Sequence, residues 1–267
     1  ESLEILLDFV SRPYFTPETV QKEQGIIGQE IRMYDDDPGW RSLFNLLGAL
    51  YHVNPVKLDI AGTTESIAEI SADLLYRCYH TFYSLGNMVL TVAGNFRPET
   101  VIETADRILK PGEEVNIQWR RAPEPREIVT AYAEQALSVS TPLFQLGFKD
   151  TPPEQGAAWL RWELLGDLAC EALLGTSSPL YAKLYGEGLV NEAFSYGSEA
   201  YPGAAVLCAG GESRDPEAVR EAVLAEAKRI GREGIDEGLF RRLKRAAYGS
   251  LVRGLNSFEN ICVSQSA

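Results

Sequence analysis

The stretch AGGESRDPEAVREAVLAEAKRI, residues 209–230, decides the fold because it resembles an earlier stretch, AGNFRPETVIETADRI, residues 93–108. In both, an apolar run ends in Ala-Gly, and a Pro-Glu pair then opens an amphipathic helix, since proline and an acid favour the first helical turn. Strand–turn–helix joints are common, so one match alone says little. Because the two joints lie in comparable places on either side of a proline-rich segment, they favour a tandem duplication.

Strands and helices alternate around these joints. The segments with the composition of strands are MVLTVA (88–93), IVTAYAE (128–134), SVSTPLFQLGFKD (138–150) and a hairpin, FSYGSEAYPGAAVLCAG (194–210), with Tyr201-Pro202-Gly203 as its turn. A long helix is predicted from Glu154 to Leu174. The strand 138–150 and the hairpin favour a largely antiparallel sheet with helices on one face, which is an α+β fold.

The stretch 111–126 contains prolines and many charges, and it predicts a linker between domains. We therefore expect two related α+β domains. Residues 1–110 would be the C-terminal part of the first domain, and residues 127–267 would be the second domain, truncated at its end. The sequence begins with Glu1, in what reads as the middle of a helix, and it ends without a stop signal. We therefore expect a fragment of a longer protein.

Composition narrows the function classes. The 267 residues are 45% hydrophobic and 24% charged, which is typical of a folded globular protein. The net charge of −13 argues against a nucleic-acid partner, because phosphate binding needs clustered lysine and arginine. No apolar run approaches the roughly 20 residues that span a bilayer, and no signal-peptide pattern is present. The 4 cysteines are widely spaced, which predicts reduced thiols. We expect a cytoplasmic protein without a membrane partner.

A helix is predicted after Thr16-Pro17-Glu18, where Val20, Ile27, Ile31 and Tyr34 recur on one face. Its first turn combines a hydroxyl N-cap, a proline and an acid.

Two acids of this helix, Glu23 and Glu30, are expected on the same apolar face. An ionised carboxylate removed from water costs several kcal/mol unless it is paired, so either the face lines a cleft or the acids have a partner. Taken alone, two acids seven residues apart are more often a partly exposed helix flank. Two carboxylates two turns apart also suit a metal ligand with a supporting acid.

The pattern E-x-x-I-I-x-x-E-I, residues 23–31, resembles a helix of the inverted zincin metallopeptidases, the pitrilysin/insulinase family. Further resemblances occur in the family's order at Tyr51-His52-Val53-Asn54-Pro55-Val56, Gly62-Thr63, Tyr83, Asn87-Met88, Leu90, Gly94-Asn95-Phe96, Ser177-Ser178-Pro179-Leu180-Tyr181 and Gly188-Leu189. The resemblance covers nearly the whole chain and is greatest to the bacterial processing-peptidase-like branch. It implies the mitochondrial-processing-peptidase-like metallohydrolase fold, in which each domain is a largely antiparallel sheet covered by helices.

The resemblance also implies a metal. In the family, an H-x-x-E-H helix supplies two histidine ligands and a glutamate general base, and a glutamate of the downstream helix is the third zinc ligand. Glu30 matches that ligand, and Glu23 matches the acid that supports it. The H-x-x-E-H helix does not occur in this sequence, and His52 and His80 are its only histidines. We therefore assign no catalytic residue and expect the single zinc ion of an intact site to be absent here.

Substrate contacts are predicted at His52, Tyr185 and Tyr196. The family often carries an arginine and a tyrosine in its second domain that hold the scissile carbonyl. Tyr185 stands where the arginine would fall, Asn191 stands near the tyrosine position, and the Tyr196 hydroxyl is a substitute. A histidine in a loop, such as His52, is more often structural, and contact with substrate near the cleft is the functional alternative.

The function implied by the resemblance is a zinc-dependent metalloendopeptidase that acts on peptides or unfolded segments, with these 267 residues inactive alone. The alternative is a non-catalytic homologue that acts as a scaffold or partner subunit. A peptide-binding module that never held metal is a third reading. The expected partner is a peptide substrate, and a dimer or a paired homologous subunit stays open.

Overall fold

The structure is a computed structural model that describes residues 1–110, 116–153 and 156–266. In chain order the helices are α1 Ser2–Ser11, α2 Pro17–Asp35, α3 Pro38–Leu50, α4 Thr64–Ala68, α5 Ala72–Phe82, α6 Pro98–Ile108, α7 Ala157–Leu174, α8 Pro179–Gly186, α9 Pro216–Glu233, α10 Glu237–Gly254 and α11 Phe258–Ser266. The strands are β1 Leu143–Asp150, β2 Ser195–Tyr201 and β3 Ala204–Glu212. Short 3₁₀ turns occupy Pro55–Lys57 and Leu85–Asn87. The α+β class is confirmed.

The chain divides into two compact units. Unit 1 consists of Glu1–Glu30, Thr63–Arg120 and Gly249–Ala267, and unit 2 consists of Ile31–Gly62 and Arg121–Tyr248. The boundary after Arg120 falls within the predicted linker 111–126, of which residues 111–115 lie outside the described residues. The predicted division into domains 1–110 and 127–267 stays a prediction.

In unit 1, side chains tie helices to neighbouring backbone. The Tyr79 hydroxyl on α5 donates to the carbonyl of Val10 on α1 at 2.7 Å. The Gln24 amide on α2 donates to the carbonyls of Ile67 and Ile70 at 3.1 and 2.9 Å. These contacts connect segments far apart in sequence, so the helices of this unit do not depend on local propensity alone.

Unit 2 contains a three-stranded antiparallel sheet in the order β1-β3-β2. Gly147 of β1 and Gly197 of β2 both lie opposite Cys208 of β3. The predicted hairpin is confirmed: β2 and β3 pair across Pro202-Gly203, where Gly203 adopts φ 79°. That conformation favours glycine because it has no Cβ. Strand β1 confirms the second part of the predicted strand 138–150.

One face of the sheet packs against α7, α8 and α9. The buried cluster here consists of Phe144, Leu174, Leu180, Leu184, Val190, Phe194, Ala209, Val219 and Val223. Helix α7 approaches β2 at Gly166, where an added Cβ would lie 2.6 Å from the Ser198 hydroxyl oxygen. The long helix predicted from Glu154 is confirmed from Ala157 to Leu174, whereas residues 154–155 lie outside the described ones.

The other face of the same sheet packs against α3. Its buried cluster consists of Leu47, Leu50, Tyr51, Ala204 and Val206. At Gly147 an added Cβ would lie 2.7 Å from a methyl group of Leu46, so the glycine allows the helix to approach β1 closely. The expectation of helices on one face only is therefore wrong, because the apolar side chains of β3 alternate and both faces need cover.

Two predicted strands are wrong. The segment Met88–Ala93 forms no strand, and Val89 is 74% exposed. Residues 128–134 also form no strand, although the backbone N–H groups of Val129 and Thr130 both donate to the carbonyl of Ala49. A β-prone sequence becomes a strand only when a neighbour accepts its ladder hydrogen bonds, and the described residues offer neither segment such a partner.

Candidate functional site

Helix α2 carries the predicted metal ligand. The helix predicted over residues 20–34 is confirmed as Pro17–Asp35. Its N-terminus forms as expected, since the Thr16 hydroxyl accepts the backbone N–H of Thr19 at 3.2 Å. Glu18 in the first turn has a lowered pKa, chiefly through a hydrogen bond from its own backbone amide and then one from Thr16.

Glu23 and Glu30 are both exposed on α2, so the expectation that they lie on the apolar face is wrong. Val20 and Ile31 are buried. Gly28 is also buried, and it lies about 80° around the helix from Val20, on the side opposite to the two acids. At about 100° per residue, Glu23 and Glu30 lie roughly 60° and 80° around the helix from Val20, away from Gly28. The two acids therefore occupy the exposed flank of the helix.

A metal site needs more ligands than the two carboxylates of Glu23 and Glu30. Among the residues that the structure describes, no group of three or more His, Cys, Asp and Glu side chains could hold a metal ion. A catalytic zinc takes three protein ligands and keeps one open position. The described residues therefore do not fit a complete zinc site, and the assignments of Glu30 as ligand and Glu23 as supporting acid stay predictions.

The loop of residues 51–58 contains the predicted contact residue His52 and is held by one carboxylate. The backbone N–H of His52 donates to Glu124 Oε1 at 2.8 Å. The backbone N–H groups of Val53 and Asn54 donate to Glu124 Oε2 at 2.9 and 2.7 Å. Asn54 also caps the following 3₁₀ turn, because its side-chain oxygen accepts the N–H of Val56 at 3.0 Å. The backbone of this loop is therefore fixed at consecutive residues.

Lys149 completes the arrangement from β1. Its ammonium donates to Glu124 Oε1 at 2.7 Å, to the carbonyl of Leu50 at 2.8 Å and to the carbonyl of Glu127 at 2.9 Å. It also lies 4.9 Å from the ring centroid of Tyr51, a cation–π distance. The side chains of Lys149 and Glu124 are each 7% exposed. All three protons of the ammonium thus have acceptors, as a buried charge requires.

The electrostatics of the pair favour the ionised carboxylate. Burial alone would raise the pKa of Glu124, but the Lys149 ammonium and the amides of His52, Val53 and Asn54 lower it to about 2. Hydrogen bonds to the charged form therefore outweigh the desolvation. At neutral pH this ion pair is fully formed.

The predicted contact residues occupy different surroundings. His52 is exposed in the loop, with its backbone held by Glu124. Tyr185 is 48% exposed on α8 and stacks on Tyr181 at 5.7 Å. Tyr196 packs against the core between the sheet and helices α7, α8 and α9, where its ring centroid lies 6.3 Å from that of Phe194.

The Tyr196 hydroxyl lies near the Glu171 carboxylate and the backbone of Thr176. Burial, followed by the Glu171 carboxylate, raises its pKa to about 12. Ring contacts link Tyr196 to Tyr185 through Phe194 and Tyr181, whereas His52 belongs to the loop that packs on the other face of the sheet. The structure therefore does not bring the three residues together, and their roles as substrate contacts stay predictions.

A cavity of about 270 Å³ opens on the face of the sheet that α3 covers. Its lining consists of Gly39, Leu43, Gln145, Ser195, Tyr196, Gly197, Glu199, Cys208 and Gly210. A larger cavity of about 770 Å³ in unit 1 lies among charged residues of α1 and α6, including Glu4, Asp8 and Arg107. Neither cavity contains the predicted metal ligand Glu30.

Glu124 and Lys149 were missed by the sequence reasoning. Glu124 stands between Pro123 and Pro125, in a stretch that predicts a solvated linker. Lys149 carried a usable signal, because it alternates with Gly147 on an inward position of a predicted strand. A charged residue at a buried position almost always has a partner, but its identity cannot be read from the strand alone.

Similar proteins define the class. The uncharacterized zinc protease YmfH of Bacillus subtilis is 38% identical over 264 residues, which are 97% of this chain and 61% of that protein. An M16-like peptidase from Alicyclobacillus acidocaldarius is 30% identical, with a TM-score of 0.93 over 99% of this chain and 63% of that chain. A chain of complex III2 from Candida albicans shares the fold at 17% identity, with a TM-score of 0.75 over 99% of this chain and 65% of that one. The chain is thus similar in sequence to proteins named zinc protease and M16-like peptidase, and it spans less than two thirds of the length of these relatives.

The family follows from a more direct match. The family model described as "Peptidase M16 inactive domain" matches residues 69–247. The chain belongs to the M16 peptidase family, and the resemblance to the pitrilysin family is confirmed. The matched range includes Tyr185 and Tyr196, whereas Glu23, Glu30 and His52 precede it.

Proposed function

We propose that the chain is part of a zinc-dependent metalloendopeptidase that hydrolyses peptides or unfolded polypeptide segments. The observation that carries this proposal is the 38% identity, over 97% of the chain, to a protein named a zinc protease. The pattern from Glu23 to Glu30 adds support from the residues themselves, because both acids stand at exposed positions of one helix. A carboxylate that ligates a metal held by another helix has to be accessible in this way.

Each predicted residue has one role in the proposal. Glu30 is the third zinc ligand, and Glu23 supports it. His52, Tyr185 and Tyr196 contact the peptide. The two histidine ligands and the general base belong to an H-x-x-E-H helix that the 267 residues do not contain. We therefore expect the 267 residues alone to bind no stoichiometric zinc and to cleave no peptide.

The test compares this chain with the complete gene product. An H-x-x-E-H sequence upstream of Glu1 is the expected finding, and the complete protein should contain about one zinc per site by elemental analysis. Glu30→Gln should abolish both zinc binding and cleavage of an unfolded polypeptide. Glu18→Gln, an acid in the first turn of the same helix, should change neither. Stoichiometric zinc and activity in the 267 residues alone would overturn the proposal.

The second candidate is a non-catalytic homologue that serves as a scaffold or as one subunit of a pair. It is favoured by the match of residues 69–247 to the inactive domain of the family. Tyr185 and Asn191 at the positions of the family's arginine and tyrosine agree with it. The occurrence of the same fold in complex III2 supports an assembly role for this architecture. A degenerate upstream motif together with a complete protein that contains no zinc would favour this candidate.

Location belongs to the same proposal. No helix within the described ranges is long and apolar enough to cross a membrane. All four cysteines are free thiols, which agrees with a reducing compartment. We expect the protein in the cytoplasm, as a dimer or paired with a homologous subunit. Cell fractionation and size-exclusion chromatography with light scattering test the two expectations.

A further inference from the structure

The Glu124 carboxylate fixes three consecutive peptide units of a loop. Its two oxygens accept the N–H groups of His52, Val53 and Asn54 at 2.7 to 2.9 Å. Lys149 then holds the carboxylate from β1 and also binds the carbonyl of Leu50, which immediately precedes the loop. Such convergence leaves the loop backbone little freedom at residues 52–54.

This loop is anchored at further points. The fully buried Tyr51 donates through its hydroxyl to the carbonyl of Ala205 at 2.7 Å. The Asn54 side chain donates to the carbonyl of Pro202 at 3.3 Å. The Lys57 ammonium donates to the carbonyl of His52. Both the start and the middle of the loop are thus held against the sheet.

The loop and the residues directly after it present apolar side chains to water. Val53 is 47% exposed, Leu58 is 63% exposed and Ile60 is 87% exposed, and His52 is exposed beside them. Ordering of the loop therefore leaves much of their apolar surface in water. Apolar residues often replace a buried ion pair without loss of stability, so stability alone does not require a charged pair at this position. A rigid loop that presents accessible side chains is instead the arrangement that lowers the entropic cost of binding a partner.

We infer that Glu124 is a positioning residue for polypeptide binding: it fixes the backbone of His52–Asn54, so that the exposed side chains of the loop meet an extended polypeptide in a preset arrangement. This inference rests on the proposed function, which supplies the polypeptide ligand. Glu124 itself does not touch the ligand. It acts through the three amides, with Lys149 holding its carboxylate in place.

Glu124→Gln is the decisive variant. Gln keeps the side-chain volume and one acceptor oxygen, but its NH₂ group has to face a donor, so at least one of the three amides loses its acceptor. Hydrogen exchange at His52, Val53 and Asn54 should become about tenfold faster or more, as expected for the loss of a charge-assisted bond. Binding of dye-labelled, reduced and carboxymethylated lysozyme, an unfolded polypeptide, should weaken about tenfold in fluorescence anisotropy.

Two controls separate positioning from general stability. Glu127→Gln makes the same change three residues along, at an exposed side chain, and should leave binding unchanged. Val223→Ala opens a cavity in the core between the sheet and helices α7, α8 and α9, on the face of the sheet opposite to the loop. It should lower thermal stability without loosening the loop. If Val223→Ala weakens binding as much as Glu124→Gln, the effect is one of stability and the inference is overturned.

The remaining outcomes are distinct. If the wild-type chain binds the probe and Glu124→Gln binds it equally well while its loop amides exchange faster, the positioning role is wrong and the proposed function stands. If the wild-type chain and the complete gene product both fail to bind the probe, the proposed function is wrong, and the positioning role that rests on it is overturned with it. If Glu124→Gln binds the probe more weakly while Glu127→Gln and Val223→Ala bind it as wild type does, the result supports both the positioning role and the proposed function.

Discussion

Replacing Glu124 by Gln should make the unfolding free energy lose a pH dependence that the wild-type chain has. The Lys149 ammonium and three backbone amides bring the pKa of this carboxyl from 4.5 to about 2, against the effect of burial. The higher value is the one expected in the unfolded chain. The difference corresponds to about 3 kcal/mol of stability at neutral pH. The Glu124 side chain is 7% exposed, but Pro123 and Pro125 on either side of it are exposed, so screening by nearby solvent makes about 3 kcal/mol an upper bound.

The sign follows from the direction of the pKa change. Because the folded pKa lies below the unfolded one, the stabilisation is complete above about pH 5 and is lost as the pH falls from 4.5 towards 2. Wild type should therefore exceed Glu124→Gln by up to about 3 kcal/mol at neutral pH, and the gap should approach zero only below about pH 2, where the wild-type carboxyl becomes protonated in the folded chain as well. Urea unfolding followed by circular dichroism over this range measures the gap.

A matched variant checks that the effect belongs to the buried pair. Glu217→Gln removes a carboxylate that pairs with Arg220 on the surface of α9, where both side chains are largely exposed. Since an exposed pair is screened by water and salt, its gap to wild type should stay small at every pH. A gap for Glu124→Gln that is the same at neutral and acidic pH would refute the reasoning, because it would arise from packing and not from charge.

Three further predictions follow from packing, exposure and burial. Gly166→Ala should lower the melting temperature, because the new Cβ would lie 2.6 Å from the Ser198 hydroxyl oxygen, and overpacking costs about 1–3 kcal/mol against about 1 kcal/mol gained in helix propensity. Val89→Lys should reduce concentration-dependent self-association in sedimentation velocity, since Val89 is 74% exposed in an unpaired β-prone segment. Cys170 should resist alkylation in the native chain while the exposed Cys78 reacts, because burial raises the pKa of the Cys170 thiol to about 12, as peptide mass spectrometry can show.

Each of these predictions has a simple contradiction. An added Cβ at Gly231 on α9 would meet nothing within 4 Å, so Gly231→Ala should raise the melting temperature. If both glycine variants lower the melting temperature, the cause is not the contact with Ser198. Unchanged association in Val89→Lys would show that the segment is not the contact. Equal alkylation of Cys170 and Cys78 would mean that α7 opens readily in solution.

Local patterns were sufficient where the structure is decided by neighbours in sequence. The hydroxyl of Thr16 and the proline at position 17 start α2 as the sequence predicts. The turn at Pro202-Gly203 forms because a glycine is present where φ is positive, and the two flanking strands then pair with each other. In both cases the deciding contacts span only a few residues, so composition and spacing contain the necessary information.

Long-range partners account for what the sequence did not predict. MVLTVA, residues 88–93, has strand composition, yet no segment among the described residues pairs with it. The role of Glu124 depends on Lys149, 25 residues away, and on His52, 72 residues away. Such contacts are settled by tertiary structure, which is why a glutamate between two prolines reads as a linker residue.

The exposure of Glu30 bears on the metal hypothesis in a way that the sequence pattern alone concealed. Had Glu30 been buried on the apolar face, folding would have required a partner for its charge, and that requirement would itself have argued for a metal or a cation. An exposed carboxylate makes no such demand, so the burial pattern of this chain does not by itself argue for a metal at Glu30. Because an interaction of an exposed carboxylate contributes about 1 kcal/mol or less, Glu30→Gln should lower the unfolding free energy of the 267 residues by no more than about 1 kcal/mol. Zinc lost from the complete protein by the same variant would then report ligation and not folding.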